Sequence, residues 1–97
     1  MKSHDAAAKA VSPSITIRVS GRLFQGHLSY LDQLVQSARD YGLWPLLGLA
    51  NLEELDRAAV LYLIHGNDRD FGLVGCPNFI HEWMEHERGR SSAGAVA

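Results

Sequence analysis

The first residues that could do chemistry are the histidines and acids of the segment HEWMEH, residues 81–86. A zinc-binding helix of the HExxH type carries its two histidines four positions apart, on one face. His81 and His86 are five positions apart, so a helix rotates them by roughly 140° and they cannot bind one ion together. His81 and Glu85 have the right spacing, but two ligands do not make a site. We therefore predict no metal site and expect a solvated polar face.

The nucleophile and phosphate motifs of common enzymes are absent from the sequence. No G-x-S-x-G segment forms a nucleophile elbow, and Gly21, Gly26 and Gly42 form neither GxGxxG nor a P-loop. Cys76 precedes Pro77 at the start of a predicted helix, where an exposed thiol would have a lowered pKa. A cysteine in such a place is more often a small buried residue. We expect no catalytic residue and no cofactor.

Anion binding is a third kind of chemistry, and it would use the turns that lead from strands into helices. In a parallel sheet these turns gather at the carboxyl ends of the strands, where helix N-termini offer free N–H groups. The carboxylates of the middle turn, Glu53, Glu54 and Asp56, oppose an anion. A small-ligand or nucleotide site at this edge is therefore the alternative function, and its predicted residues are Arg22, Gly26, His27 and Asn78.

The elements that would position these residues follow from the hydrophobic pattern. Alternating apolar residues predict a half-buried strand over residues 15–19, and short apolar runs predict strands over residues 44–49 and 71–75. Helical spacing predicts a helix from residue 28 to 41, stopped by Gly42. Asp56 is the predicted N-cap of a helix over residues 57–65 ended by Gly66, and Pro77 opens a last helix. This β-α-β-α-β-α order predicts a two-layer α/β fold, with a small, mostly parallel sheet and about three helices packed mainly on one face.

The helix predicted over residues 57–65 is apolar almost all round. If Val60, Leu63 and Ile64 face the sheet, the opposite side carries an apolar stripe that is unusual for a solvent face. Two interpretations are open. The neighbouring helices of the chain cover this stripe, or another molecule covers it, either a protein partner or a second copy. The stripe consists of Ala58, Leu61, Tyr62 and His65.

Composition and charge exclude several classes of function. The chain has 97 residues, a net charge of −2 and one cysteine, which indicates one domain, no internal disulfide and no general affinity for nucleic acid. Neither a signal peptide nor a membrane-spanning run is present, so we expect no membrane insertion and a cytoplasmic location. The polar ends, residues 1–14 and 89–97, are predicted to be flexible tails around a domain of residues 15–88.

The order of these elements resembles a known family. The segment ITIRVSGRL before a helix, the aspartate turn in LEELDRAAVLYL, and the closing GLVGCPNFIHEW are together similar to the STAS domain. That domain is shared by bacterial anti-sigma factor antagonists and by the cytoplasmic ends of sulphate transporters. The likeness spans roughly residues 15–87.

The resemblance implies a non-enzymatic regulatory module that docks a protein partner through the aspartate turn and the following helix. The partner would be an anti-sigma factor kinase, a transporter or a sensor component, or else a second copy of the chain. In the family a phosphorylated serine follows the aspartate, whereas here Arg57 follows Asp56. The implied partner-binding residues are Asp56, Arg57, Ala58, Leu61, Tyr62 and His65.

Overall fold

The computed structural model describes residues 13–96, with side chains described through residue 90. The predicted tail of residues 1–14 therefore lies almost wholly outside the described residues. Within the described residues, strands and three helices form an α/β arrangement. The elements are β1 (Ser14–Arg18), β2 (Gly21–Leu23), α1 (Gln25–Asp40), β3 (Trp44–Gly48), β4 (Leu52–Leu55), α2 (Arg57–Gly66), β5 (Gly72–Val74) and α3 (Asn78–Val96).

The described strands form two small parallel sheets. One has the order β1-β3-β5 and the other pairs β2 with β4. The second sheet continues the β1–β3 pair, because Val19 N–H donates to the Gly48 carbonyl (2.9 Å) and Gly21 N–H to that of Asn51 (3.1 Å). Residues 14–23 and 44–55 thus run side by side, and the predicted α/β class with mostly parallel strands is confirmed.

Strand β4 corrects the sequence analysis, which placed Glu53 and Glu54 in a turn. Leu52 and Leu55 are buried, while Glu53 and Glu54 between them are exposed. This spacing of three lacks the alternation that predicts a strand. The pairing with β2 also shifts register between Gly21 and Arg22, which indicates an irregularity of the kind that breaks alternation.

The helices begin and end close to where the sequence predicts. Helix α1 ends before Gly42, whose φ of 76° suits glycine, since other residues rarely adopt it. Asp56 caps α2 as predicted, with its side chain accepting from Ala59 N–H. Helix α3 begins at Asn78, just after Pro77. Its backbone remains helical over residues 89–96, within the segment predicted to be a flexible tail.

The core lies between the sheet and a layer of helices in which α2 is central. Helix α1 packs on β3, and α2 packs against both α1 and α3. Gly66 allows the closest approach, because a Cβ atom there would lie 2.1 Å from the Phe71 ring. The largest side chains that are completely buried belong to Leu47, Leu49, Leu63, Phe71 and Ile80.

Candidate functional site

The carboxylate of Asp56 joins the N-termini of two helices. Its Oδ1 accepts from Ala59 N–H in α2 and its Oδ2 accepts from Gln25 N–H in α1, each at 2.9 Å. The bonds from Gln25 and then Ala59 lower the pKa of Asp56, since they favour the charged form. The sequence predicted the cap of α2, but the bond to α1 spans 31 residues and leaves no local signal.

The N-terminus of α1 bears on the ligand-binding alternative. His27 Nδ1 accepts from Phe24 N–H at 3.0 Å, and the two rings stack with centroids 6.1 Å apart. Arg22 pairs with Glu54 (Nε–Oε1 2.9 Å), although both side chains are exposed and such pairs contribute little. The N–H groups of Phe24, Gln25 and Ala59 thus already donate to side chains of the chain. This geometry does not favour an external anion here.

Arg57 links α2 to α3. Its Nε lies 3.2 Å from Oε1 of Glu87, whose other carboxylate oxygen accepts from Trp83 Nε1 at 3.2 Å. The Arg57 side chain is 58% exposed and that of Glu87 only 3%. Burial raises the pKa of Glu87, but the bonds from Arg57 and Trp83 outweigh it and the pKa is lowered.

These carboxylates have separate partners, because Glu54 on β4 pairs with Arg22 and α2 directs Arg57 toward α3. Sequence reasoning missed Glu87. A usable signal existed, since Glu87 lies at helical spacing from Trp83 and Met84, on the stripe that faces the core.

Tyr62 lies at the contact between α1 and α2. Its hydroxyl donates to Asp32 Oδ1 at 3.0 Å, and its ring stacks on Phe71 with centroids 5.4 Å apart. Burial, followed by the Asp32 carboxylate, raises the pKa of Tyr62. The neighbouring helix therefore covers this part of the predicted stripe, and Tyr62 fixes the position of α2.

The rest of the predicted stripe remains accessible. Ala59 and Val60 are fully buried with Leu63, whereas Ile64, predicted to face inward, is only half-buried. Along α2, a line at helical spacing is exposed or half-buried. We call it the α2 stripe, and it consists of Arg57, Ala58, Leu61 and His65.

The start of α3 offers no activated thiol. Cys76 is half-buried, its Sγ lies 3.7 Å from the Pro77 carbonyl, and burial raises its pKa. Asn78 is exposed. Among the described residues no cluster of three or more His, Cys, Asp or Glu side chains could hold a metal ion.

Two further findings bear on the identity of the chain. Within residues 13–96, none of the helices combines the length and the apolar character needed to cross a bilayer. In comparisons with known proteins, no family model matches the chain, and no curated protein or solved structure matches it. The resemblance to the STAS domain therefore stays a prediction from the residues.

Proposed function

We propose that the chain is a non-enzymatic, STAS-like regulatory module that docks a protein partner through the Asp56 turn and the α2 stripe. The observation that carries this proposal is that contacts anchor α2 at both ends and to both neighbouring helices, while the α2 stripe stays exposed or half-buried. Asp56 holds its first turn, Tyr62 bonds to α1, Arg57 bonds to α3, and Gly66 packs on Phe71. A surface held in this way loses little conformational entropy when it binds.

Arg57 gives the proposed surface a permanent positive charge. In STAS domains that carry the phosphorylated serine, phosphorylation changes the charge at the position that Arg57 occupies here. The guanidinium of Arg57 cannot be switched by phosphorylation of a hydroxyl. Glu87 holds the side chain while more than half of it stays exposed. Docking would then be constitutive, and a partner that presents a carboxylate near Arg57 and an apolar side chain near Leu61 fits best.

Site-specific photo-crosslinking in cells tests the proposal, because it captures a partner whose identity is still open. A benzophenone amino acid would replace Leu61 or His65, with Gln36 on the exposed side of α1 as the control position. We expect one discrete adduct with another protein from positions 61 and 65, none from position 36, and loss of the position-65 adduct when Leu61→Glu is added. Adducts of equal yield from all three positions, or none from position 61, would contradict the proposal.

The ligand-binding alternative predicts a different result. Titration of the labelled protein with a nucleotide would shift the amide resonances of Gly26, His27, Arg57 and Asn78 if the helix N-termini bind it. We expect these resonances to stay unchanged, because side chains of the chain already occupy the N–H groups of Phe24, Gln25 and Ala59. Saturable shifts at those four residues would replace the docking proposal with ligand binding.

A further inference from the structure

Strand β1 has one unpaired edge among the described residues. The Pro13 carbonyl accepts from Trp44 N–H, and Val19 N–H donates to Gly48, both at 2.9 Å. The N–H and C=O groups of successive residues point to alternate sides of a strand. Those of the odd-numbered residues from 13 to 19 therefore point toward β3. The N–H and C=O groups of Ser14, Thr16 and Arg18 therefore point to the open edge, where they can pair with another strand.

An apolar groove runs beside this edge. It has a volume of about 270 Å³ and lies between β1 and α1, with Ile15, Leu34 and Tyr41 among its lining residues. A second concavity, which shares Leu34, extends it toward Tyr30. Ile15 is 43% exposed, Tyr30 66% and Tyr41 84%. Exposed apolar side chains next to an unpaired strand edge mark an interaction surface.

We propose that a second copy of this chain occupies the edge, with the two β1 strands antiparallel about a two-fold axis at Thr16. Thr16 then faces Thr16 of the second copy as a hydrogen-bonded pair, which its outward N–H and C=O allow. Ile15 faces Ile17 of the second copy as a non-hydrogen-bonded pair, the kind whose side chains approach most closely. The two three-stranded sheets become one sheet of six strands.

Charge favours this antiparallel register. Arg18 is the one charged side chain of β1, and it would face Ser14 of the second copy. The two Arg18 side chains are then at opposite ends of the strand pair, about 14 Å apart along the strands. A parallel pairing in register would place Arg18 beside Arg18, which is unfavourable.

The surface that such a dimer buries approaches the size of a standard interface. Helix α1 packs on β3, so three strand spacings would separate the two α1 axes by roughly 14 Å. Directly packed helices have axes about 8–10 Å apart, so the long tyrosine side chains of both copies would bridge the wider gap. At these exposed fractions, Tyr30 and Tyr41 of the two copies together have roughly 450–750 Å² of accessible surface that a dimer could bury. The isoleucines and the paired backbone bring the contact toward the ~1,200 Å² lower bound of standard interfaces.

Sedimentation equilibrium of the full chain tests the proposal. We expect twice the 10.7 kDa chain mass at micromolar concentration. Thr16→Pro should give a folded monomer, because it removes an N–H that faces away from β3, and proline is tolerated on such an edge. Thr16→Val and, on α3, Phe79→Lys are the controls that should remain dimeric. A monomeric wild type, or a Thr16→Pro variant that stays dimeric, overturns the proposal.

Disulfide trapping tests the register. In a Cys76→Ser background, Thr16→Cys should form a covalent dimer on mild oxidation, because a hydrogen-bonded antiparallel pair places its Cα atoms about 5.5 Å apart. Arg18→Cys is the matched control and should form no covalent dimer, since the two residues at position 18 are about 14 Å apart along the strands. Equal trapping by both variants would overturn the register.

Amide exchange separates a second copy from other occupants of the edge. We expect the Thr16 amide to be protected in the dimer and to exchange quickly in the wild-type monomer that dilution produces. Protection of Thr16 in a protein that is monomeric at all concentrations would show that the chain itself covers the edge, and would overturn the proposal. Leu61→Glu should leave the dimer intact, so failure of this proposal is distinct from failure of docking through α2.

Discussion

Two leucines of α2 offer a matched test of the helix orientation on which the docking proposal depends. Leu63 is completely buried and Leu61, two positions away, is only half-buried. The same substitution, to glutamate, can be made at both, so helix propensity and added charge are equal. Only the surroundings of the two side chains differ.

The expected free-energy changes differ severalfold. Loss of a core leucine typically costs about 2–5 kcal/mol, and an unpaired carboxylate in its place adds a desolvation cost. A domain of this size has roughly 5–15 kcal/mol of stability, so Leu63→Glu should unfold or nearly unfold the protein. Complete burial of a leucine contributes about 1.5–3 kcal/mol. Half-burial of Leu61 therefore makes Leu61→Glu cost about 1 kcal/mol, or a fall of roughly 4–8 °C in Tm.

Thermal and urea unfolding followed by circular dichroism measure both variants, and crosslinking from position 65 reports docking. We expect Leu61→Glu to fold with a modestly lower Tm and to lose the crosslink. If it unfolds the protein as severely as Leu63→Glu, Leu61 belongs to the core and the α2 stripe is not a surface. If it folds and the crosslink persists, the stripe is accessible but is not where the partner binds.

The remaining predictions concern Asp56 and two glycines. Asp56→Asn can accept from only one of the two N–H donors, so its Tm should fall between those of wild type and Asp56→Ala. Folding lowers the pKa of Asp56 from its ordinary value of 3.8. The ionised carboxylate therefore contributes fully to stability above pH 3.8, and this contribution is lost as the pH falls through the lower pKa of the folded state. The Tm difference between wild type and Asp56→Ala should shrink accordingly in acid, and a constant difference would refute the charged cap. Gly66→Ala should destabilise by about 1–3 kcal/mol through its clash with Phe71. In α3, a Cβ atom at Gly89 would contact no other residue, so Gly89→Ala should stabilise the protein by up to about 1 kcal/mol. A Gly66→Ala variant more stable than Gly89→Ala would contradict this packing.

The sequence predicts the elements whose signal is local. Alternation in residues 15–19, the glycine after α1 and the aspartate before α2 each depend on a few neighbouring residues, and the structure confirms them. Strands β2 and β4 were not predicted, because GRL and LEEL show neither the alternation of β1 nor the apolar run that predicts β5. The exposure of Ile15 also could not be predicted, because alternation shows which face is apolar but not whether anything covers it.

The contacts that organise the candidate site are not local. Gln25 with Asp56 and Arg39 with Asp70 are 31 residues apart, and Asp32 with Tyr62 and Arg57 with Glu87 are 30 apart. In each case the residues are too distant in sequence for a motif to connect them. The type of a residue predicts that it needs a polar partner when partly buried, but only the packing of neighbouring elements selects which partner.

These contacts explain why two surfaces of the chain have different characters. Polar bonds attach α2 to α1 on one side and to α3 on the other, so the exposed line of α2 is narrow and fixed. Among the described residues, strand β1 has backbone bonds on one side only, and the groove beside it exposes apolar side chains that none of their elements covers. A fixed line that combines the Arg57 guanidinium with the apolar Leu61 suits selective docking, whereas an open strand edge suits pairing with another strand. Because the two surfaces are on different elements, Thr16→Pro and Leu61→Glu should act independently. A double variant that loses more stability than the sum of the single changes would show that the two surfaces are coupled through α1.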